Sequence, residues 1–258
     1  MKTVTHYLAI ILLLIVTVSP ALACSLEAWE GVSVGATVGD PSNNIARVGG
    51  QCALKVTGTG QVTDNSPDGE TEFIGRFYFY PKMLSQGNHE IFAVLADQTN
   101  INSRLFVISY DGSNINLDAS PAGGGQVSVG ADPTHWNLVE FAWNSGTQGQ
   151  LWVNADALSS PPSGTFASGA GSVDQVRLGA VSDIGADTAF FDDYVSRRSP
   201  AVGPLLVGDG NADGEVDSED IDVIVNEYLF DDFGNGVVDC NLDGSVNSGD
   251  VNCVVADT

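Results

Sequence analysis

Phe73-Ile-Gly-Arg-Phe-Tyr-Phe-Tyr80 alternates along its whole length. Phe73, Gly75, Phe77 and Phe79 fall on one face of an extended segment, and Ile74, Arg76, Tyr78 and Tyr80 on the other. A period of two in aromatic and β-branched residues predicts a strand with at least one buried side. Similar short runs lie around it: Glu90-Ile-Phe-Ala-Val-Leu95, Arg104-Leu-Phe-Val-Ile-Ser-Tyr110, Trp136-Asn-Leu-Val-Glu-Phe-Ala-Trp143, Gly149-Gln-Leu-Trp-Val-Asn154 and Gln175-Val-Arg-Leu-Gly-Ala-Val181. Clusters of Gly, Asn, Asp, Ser and Pro separate them, and no stretch between 24 and 198 carries a sustained helical period. A segment of this length built from such strands suits a mainly β, two-sheet sandwich with a sizeable core. Trp136, Trp143 and Trp152 are expected in that core.

Three segments, in order, carry a resemblance: Gly-Arg-Phe-Tyr-Phe (75–79), Val-Arg-Leu-Gly-Ala-Val (176–181) and Ala-Phe-Phe-Asp-Asp-Tyr-Val-Ser-Arg-Arg (189–198). Together they resemble the concanavalin A-like, laminin G-like jelly rolls of exported bacterial proteins, whose last strand commonly carries an Asp-Asp beside an aromatic. That superfamily holds sugar-binding modules, adhesion modules and glycosidases, so the resemblance implies a fold and leaves the function to the residues.

The residues favour binding over catalysis. Laminarinase-like glycosidases of this fold carry Glu-x-Asp-x-x-Glu on one strand, and no such segment occurs here. Glu70 and Glu72 would share a strand face but lack a third carboxylate, which makes them a solvated strand start. Asp192 and Asp193 would point to opposite faces of a regular strand, with one of them anchoring a loop or a structural calcium. His89 and His135 have no Ser or Cys nucleophile in view and read as turn residues. Gly123-Gly-Gly125 lacks the Lys and helix of a phosphate loop and reads as a turn. Arg76, Tyr78 and Tyr80, a guanidinium and two phenols on one face, form the candidate ligand-binding set for a sugar.

The C-terminal stretch is of a different kind. Asp209-Gly-Asn-Ala-Asp-Gly-Glu-Val-Asp-Ser-Glu-Asp220 and Asp239-Cys-Asn-Leu-Asp-Gly-Ser-Val-Asn-Ser-Gly-Asp250 follow one twelve-residue pattern. A hard cation such as calcium takes six to eight oxygens, which a short loop supplies by turning alternate residues inward. Asp209, Asn211, Asp213, Glu215 (through its carbonyl), Asp217 and Asp220 form the first ligand set. Asp239, Asn241, Asp243, Ser245 (through its carbonyl), Asn247 and Asp250 form the second. Two calcium ions are therefore expected. Position 12 is Asp where an EF-hand has a bidentate Glu.

Pro200-Ala-Val-Gly-Pro-Leu-Leu-Val-Gly208 cannot form an entering helix. A helix does follow the first loop, with Ser218 as its expected N-cap and Ile221, Ile224, Val225, Tyr228 and Leu229 on one face. Loop then helix, twice over, resembles the dockerin module. The resemblance implies a calcium-folded domain that docks onto a cohesin-like domain of another exported protein. In type I dockerins a Ser-Thr pair at loop positions 10 and 11 marks the recognition surface. Here Ser218, Glu219, Ser248 and Gly249 hold those positions, and no basic residue follows them, which departs from the family pattern.

The net charge is −24, and residues 204–258 contain fourteen acidic side chains and no Lys or Arg. Such a segment repels itself unless cations bind, and it argues against nucleic acid or an anionic membrane as partner. At the N-terminus Lys2, the apolar run Tyr7–Val18 and Ser-Pro-Ala-Leu-Ala23 read as a signal peptide of residues 1–23, too short for a transmembrane segment. A lipidated Cys24 is the rival reading. Four cysteines in an exported chain allow three pairings, and their distribution favours Cys24 with Cys52 and Cys240 with Cys253.

The expected organisation is a signal peptide (1–23), a concanavalin A-like sandwich (24–198), a linker (199–208) and a dockerin-like calcium domain (209–258). The expected function is an exported, non-catalytic protein whose sandwich recognises a carbohydrate or protein and whose tail attaches it to a partner. The alternative is a polysaccharide-degrading glycoside hydrolase or its accessory subunit.

Overall fold

The computed structural model describes residues 26, 29–38, 53–155, 160–198, 208, 216–230, 240 and 248–257. The signal peptide, Cys24 and Cys52 lie outside them. So do Asp209, Asn211, Asp213, Glu215, Asp239, Asn241, Asp243, Ser245 and Asn247 of the two loops.

The strands are β1 (Gly31–Val32), β2 (Ala36–Val38), β3 (Leu54–Thr57), β4 (Gln61–Asp64), β5 (Glu72–Met83), β6 (His89–Leu95) and β7 (Arg104–Tyr110). They continue as β8 (Asn114–Asp118), β9 (Gln126–Gly130), β10 (Asn137–Asn144), β11 (Gln148–Val153), β12 (Gly164–Ala167), β13 (Gln175–Gly179) and β14 (Thr188–Arg197). Two helices follow, α1 (Ser218–Phe230) and α2 (Ser248–Asp257).

The strands form two antiparallel sheets in a jelly-roll-like sandwich. The first sheet has the order β1-β4-β13-β6-β7-β8-β9 and the second β12-β11-β10-β5-β14-β3-β2. β5 lies between β10 and β14, so its aromatic face meets the other sheet. Phe73, Phe77 and Phe79 are fully shielded. Phe77 stacks on Phe92 of the first sheet with ring centroids 5.4 Å apart, and Phe92 in turn lies 5.1 Å from Phe141 of the second. Each such ring contributes about 1.5–3 kcal/mol through removal of apolar area from water. Gly75 sits in this row because the Phe141 ring covers it; a Cβ there would fall 2.4 Å from that ring.

The tryptophans divide. Trp143 is in the core and its indole N–H donates to the Ser168 carbonyl at 2.8 Å, but Trp136 and Trp152 are half-buried and lie outside it, contrary to expectation. The reason is the pleat. Val139, Phe141 and Trp143 take the inward positions of β10, and Trp136, an odd number of residues away, emerges on the outer side against Tyr80, 5.3 Å between centroids. Trp152 lies between the inward Leu151 and Val153 and donates to the Ser160 carbonyl at 3.0 Å.

The two helices have a small apolar cluster of their own. Ile224, Cys240 and Val254 are its buried members, with Val216, Ile221, Val251 and Cys253 packed around them, and Cys240 and Cys253 are disulfide-bonded. No helix among the described residues is long and apolar enough to cross a membrane.

Candidate functional site

The outer face of the first sheet carries an open polar groove of about 370 Å³. Its polar lining is Asn88, Ser109, Asn116, Asp118, Gln126 and Ser128. β7, β8 and β9 form a meander, and alternation sends Ile108, Ile115 and Leu117 inward and the polar residues outward. Register then aligns residues that are distant in the chain. Glu90, Ser109, Asn116 and Ser128 form one cross-strand row, and Thr63, Arg177, Ala93, Val107, Asp118 and Gln126 form the next. Strand spacing and rise set these groups on a grid of about 5 by 7 Å.

Two carboxylates lie in and beside the groove, and one of them holds a groove amide in place. Asp111, in the turn between β7 and β8, accepts the amide N–H groups of Ser113 and Asn114 at 3.0 and 2.8 Å and the side-chain amide of Asn116 at 3.1 Å. Partial burial works against its ionisation, but the Asn116, Ser113 and Asn114 donors outweigh it and hold the carboxyl well below the usual range. Asp118 shows the same balance: burial raises it, and the donors of Ser120 and Gln126 bring it below the usual range. Both are anions at neutral pH. A glycosidic general acid needs the opposite shift. The groove is thus chemically suited to accepting and donating hydrogen bonds with fixed geometry, as a polyhydroxylated ligand requires.

Beside the groove Arg104 reaches along the sheet to Glu90, Nη1 to Oε1 2.7 Å. Arg177 donates through Nε to Gln175 Oε1 at 2.7 Å. Gln175 is buried and donates to Asn65 Oδ1 at 2.6 Å and to the Gln98 carbonyl at 3.4 Å.

The sequence-derived candidates fall elsewhere. Arg76, Tyr78 and Tyr80 do share the outer face of the second sheet, and the Arg76 guanidinium lies 5.9 Å from the Tyr78 ring centroid. Arg76 and Tyr78 are only 4% and 5% exposed, opposite Glu140 at 2% and Leu138 at 3%, so this face is largely shielded. Tyr80 is half-buried between Trp136 and Phe190. Glu70 is bound to Arg198 at 2.9 Å, and Glu72 accepts from Asn144 at 3.3 Å. His89, at the start of β6, contacts the Ser85 carbonyl, and His135 contacts the Asp132 carboxylate in the segment before β10.

Asp192 and Asp193 depart from the regular strand that would part them. The register of β14 against β5 shifts between Asp192 and Val195, and Asp193 has φ 49°, in the left-handed region. With this bulge both residues line one cleft of about 190 Å³, beside Trp29 and Tyr194.

In the tail, Asp217 rather than Ser218 caps α1. Its Oδ1 accepts the Glu219 N–H at 2.7 Å, and Asp220 Oδ2 accepts the Asp217 N–H at 2.8 Å, a reciprocal capping arrangement. Asp220 is fully buried, whereas Ser218, Glu219 and Ser248 are exposed in the first turns of their helices, where Gly249 also lies. Asp250 lies in the first turn of α2. No group of three or more metal-ligating side chains occurs among the described residues.

No protein-family model and no curated protein matches the chain. Among solved structures it is similar to a carbohydrate esterase from a Shiga toxin-encoding bacteriophage, at 14% identity over 68% of this chain and 93% of that one, TM-score 0.48. It is also similar to a cellulose induced protein, at 13% identity over 66% and 87%, TM-score 0.46. An alginate lyase of polysaccharide lyase family 7 matches at 12% identity over 68% and 87%, TM-score 0.45. These are likenesses of overall shape, and none assigns an activity to this chain.

Proposed function

We propose that this chain is an exported two-module protein. In this reading the sandwich recognises a glycan through the groove on its first sheet, and the acidic tail, loaded with two calcium ions, attaches the protein to a cohesin-like or other exported partner. The observation that carries the first half is the register-aligned set of short polar side chains, with Asn116 held by Asp111. Preset hydrogen-bonding groups lose little entropy when a ligand binds. The second half rests on the repeated oxygen-rich loops and on a fourteen-acid segment with no Lys or Arg to balance it.

Affinity electrophoresis of the mature chain against a panel of polysaccharides tests the groove. Retardation by at least one polymer, abolished in the Asn116→Ala, Gln126→Ala double variant at unchanged melting temperature, is expected. Undiminished retardation of that variant would place the site elsewhere. Calorimetric titration of the same chain with calcium tests the tail: two binding events are expected, and no heat at millimolar calcium sinks the attachment reading.

A further inference from the structure

Arg177 is an unusual residue on this surface. The chain has nine Lys and Arg against thirty-three Asp and Glu, yet among the described residues Arg177 has no carboxylate partner. Arg104, its neighbour across β6, is already engaged by Glu90. Ala93 and Leu95, the outward residues of β6 between the two guanidinium-bearing strands, are fully shielded, so the long side chains lie over a flat apolar floor. Half-burial and the nearby Arg104 charge both work against the Arg177 cation, and no anion offsets them.

Its orientation is nevertheless fixed. Nε is tied to Gln175 Oε1, and Gln175 is buried and anchored in turn by Asn65 and Gln98. Both Nη groups are left without a partner and open to solvent. A guanidinium held by Nε offers its remaining donors as a planar fork, the geometry that takes a carboxylate in two parallel hydrogen bonds. Arg177 also shares a cross-strand row with Asp118 of the groove, three strand spacings or roughly 14 Å away, and with Gln126 one strand further. A ligand lying along that row would reach both.

Resting on the glycan reading above, we infer that the recognised polymer carries uronate residues and that Arg177 binds the carboxylate of one of them. The amides and hydroxyls of the groove take hydroxyl groups of the same chain further along the row. Sparse acidic substituents suit this site better than a dense polyanion, because the protein as a whole is strongly negative.

The test uses glucuronoxylan, alginate and polygalacturonate, each paired with the same polymer after its carboxyl groups are reduced to alcohols. The mature chain is expected to bind at least one acidic form about tenfold or more tightly than its reduced partner, with a preference that shrinks as salt rises. Arg177→Gln should remove the preference while leaving binding of the reduced polymer unchanged. Arg177→Lys should restore part of it, which separates lost charge from lost folding. Equal binding of acidic and reduced forms, or a preference that survives in Arg177→Gln, overturns the carboxylate assignment and leaves the glycan reading standing. Binding of no polymer in either form overturns both.

Discussion

The sandwich and the helical tail are stabilised in opposite ways. The sandwich buries a continuous cluster from Val56 and Val62 through the Phe77, Phe92 and Phe141 rings to Phe191. Among the described residues the apolar cluster of the tail has Ile224, Cys240 and Val254 as its buried members, with a disulfide and a set of caps beside it. A small core cannot offset the entropy of ordering two helices, so covalent and ionic constraints take over where apolar area runs out. The practical consequence is that the two regions should respond to different perturbations.

The largest effect should come from the sandwich core. Trp143→Ala removes a buried indole and leaves the Ser168 carbonyl without its donor, so a loss of about 3–5 kcal/mol is expected in denaturant unfolding, the same with or without reductant. Next is the tail's staple. Removing the Cys240–Cys253 bridge, which closes a 13-residue separation, by a Cys240→Ser, Cys253→Ser double variant should cost the tail about 3 kcal/mol and lower helical ellipticity at unchanged sandwich melting temperature. A joint shift of both transitions would show that the two regions unfold together and would break the contrast.

A smaller effect is expected from Asp217→Ala, about 1 kcal/mol, confined to the helical signal, because it removes the acceptor for the Glu219 N–H. The smallest concerns acid. Asp118 has its folded pKa below the unfolded value of about 3.9, so its contribution is present above that value and fades as pH falls through the folded pKa. Groove resonances in the β7–β9 meander should therefore broaden below about pH 4 before the aromatic core changes. A core that loosens first would remove Asp118 from the account.

The strands were legible because their periodicity is local. Arg104–Tyr110 is predicted and observed with the same bounds, and the run from Phe73 falls inside β5. The tryptophans were misplaced by treating bulk as a sufficient reason for burial, although the odd spacing of Trp136 and Trp143 already forbids a shared face on a regular strand. The groove was not legible at all. Asn88, Ser109, Asn116, Asp118, Gln126 and Ser128 are individually ordinary, and only pairing register aligns the strand residues among them into rows. The one available sign was the polar half of the alternation in Asn-Ile-Asn-Leu-Asp118 and Gln-Val-Ser-Val-Gly130. Asp192 and Asp193 escaped because a bulge adds a residue that period-two counting cannot see.

The β7–β9 meander has an implication for how this protein can change over evolutionary time. Its outward positions face the groove and its inward positions face the core, so the two sets of residues can vary under separate selection. Substitutions at Asn116, Gln126 or Ser128 would alter what is recognised while Ile115, Leu117 and their neighbours keep the fold above its stability threshold. One short contiguous piece of chain therefore supplies most of the groove, and relatives with this scaffold should diversify in specificity there first.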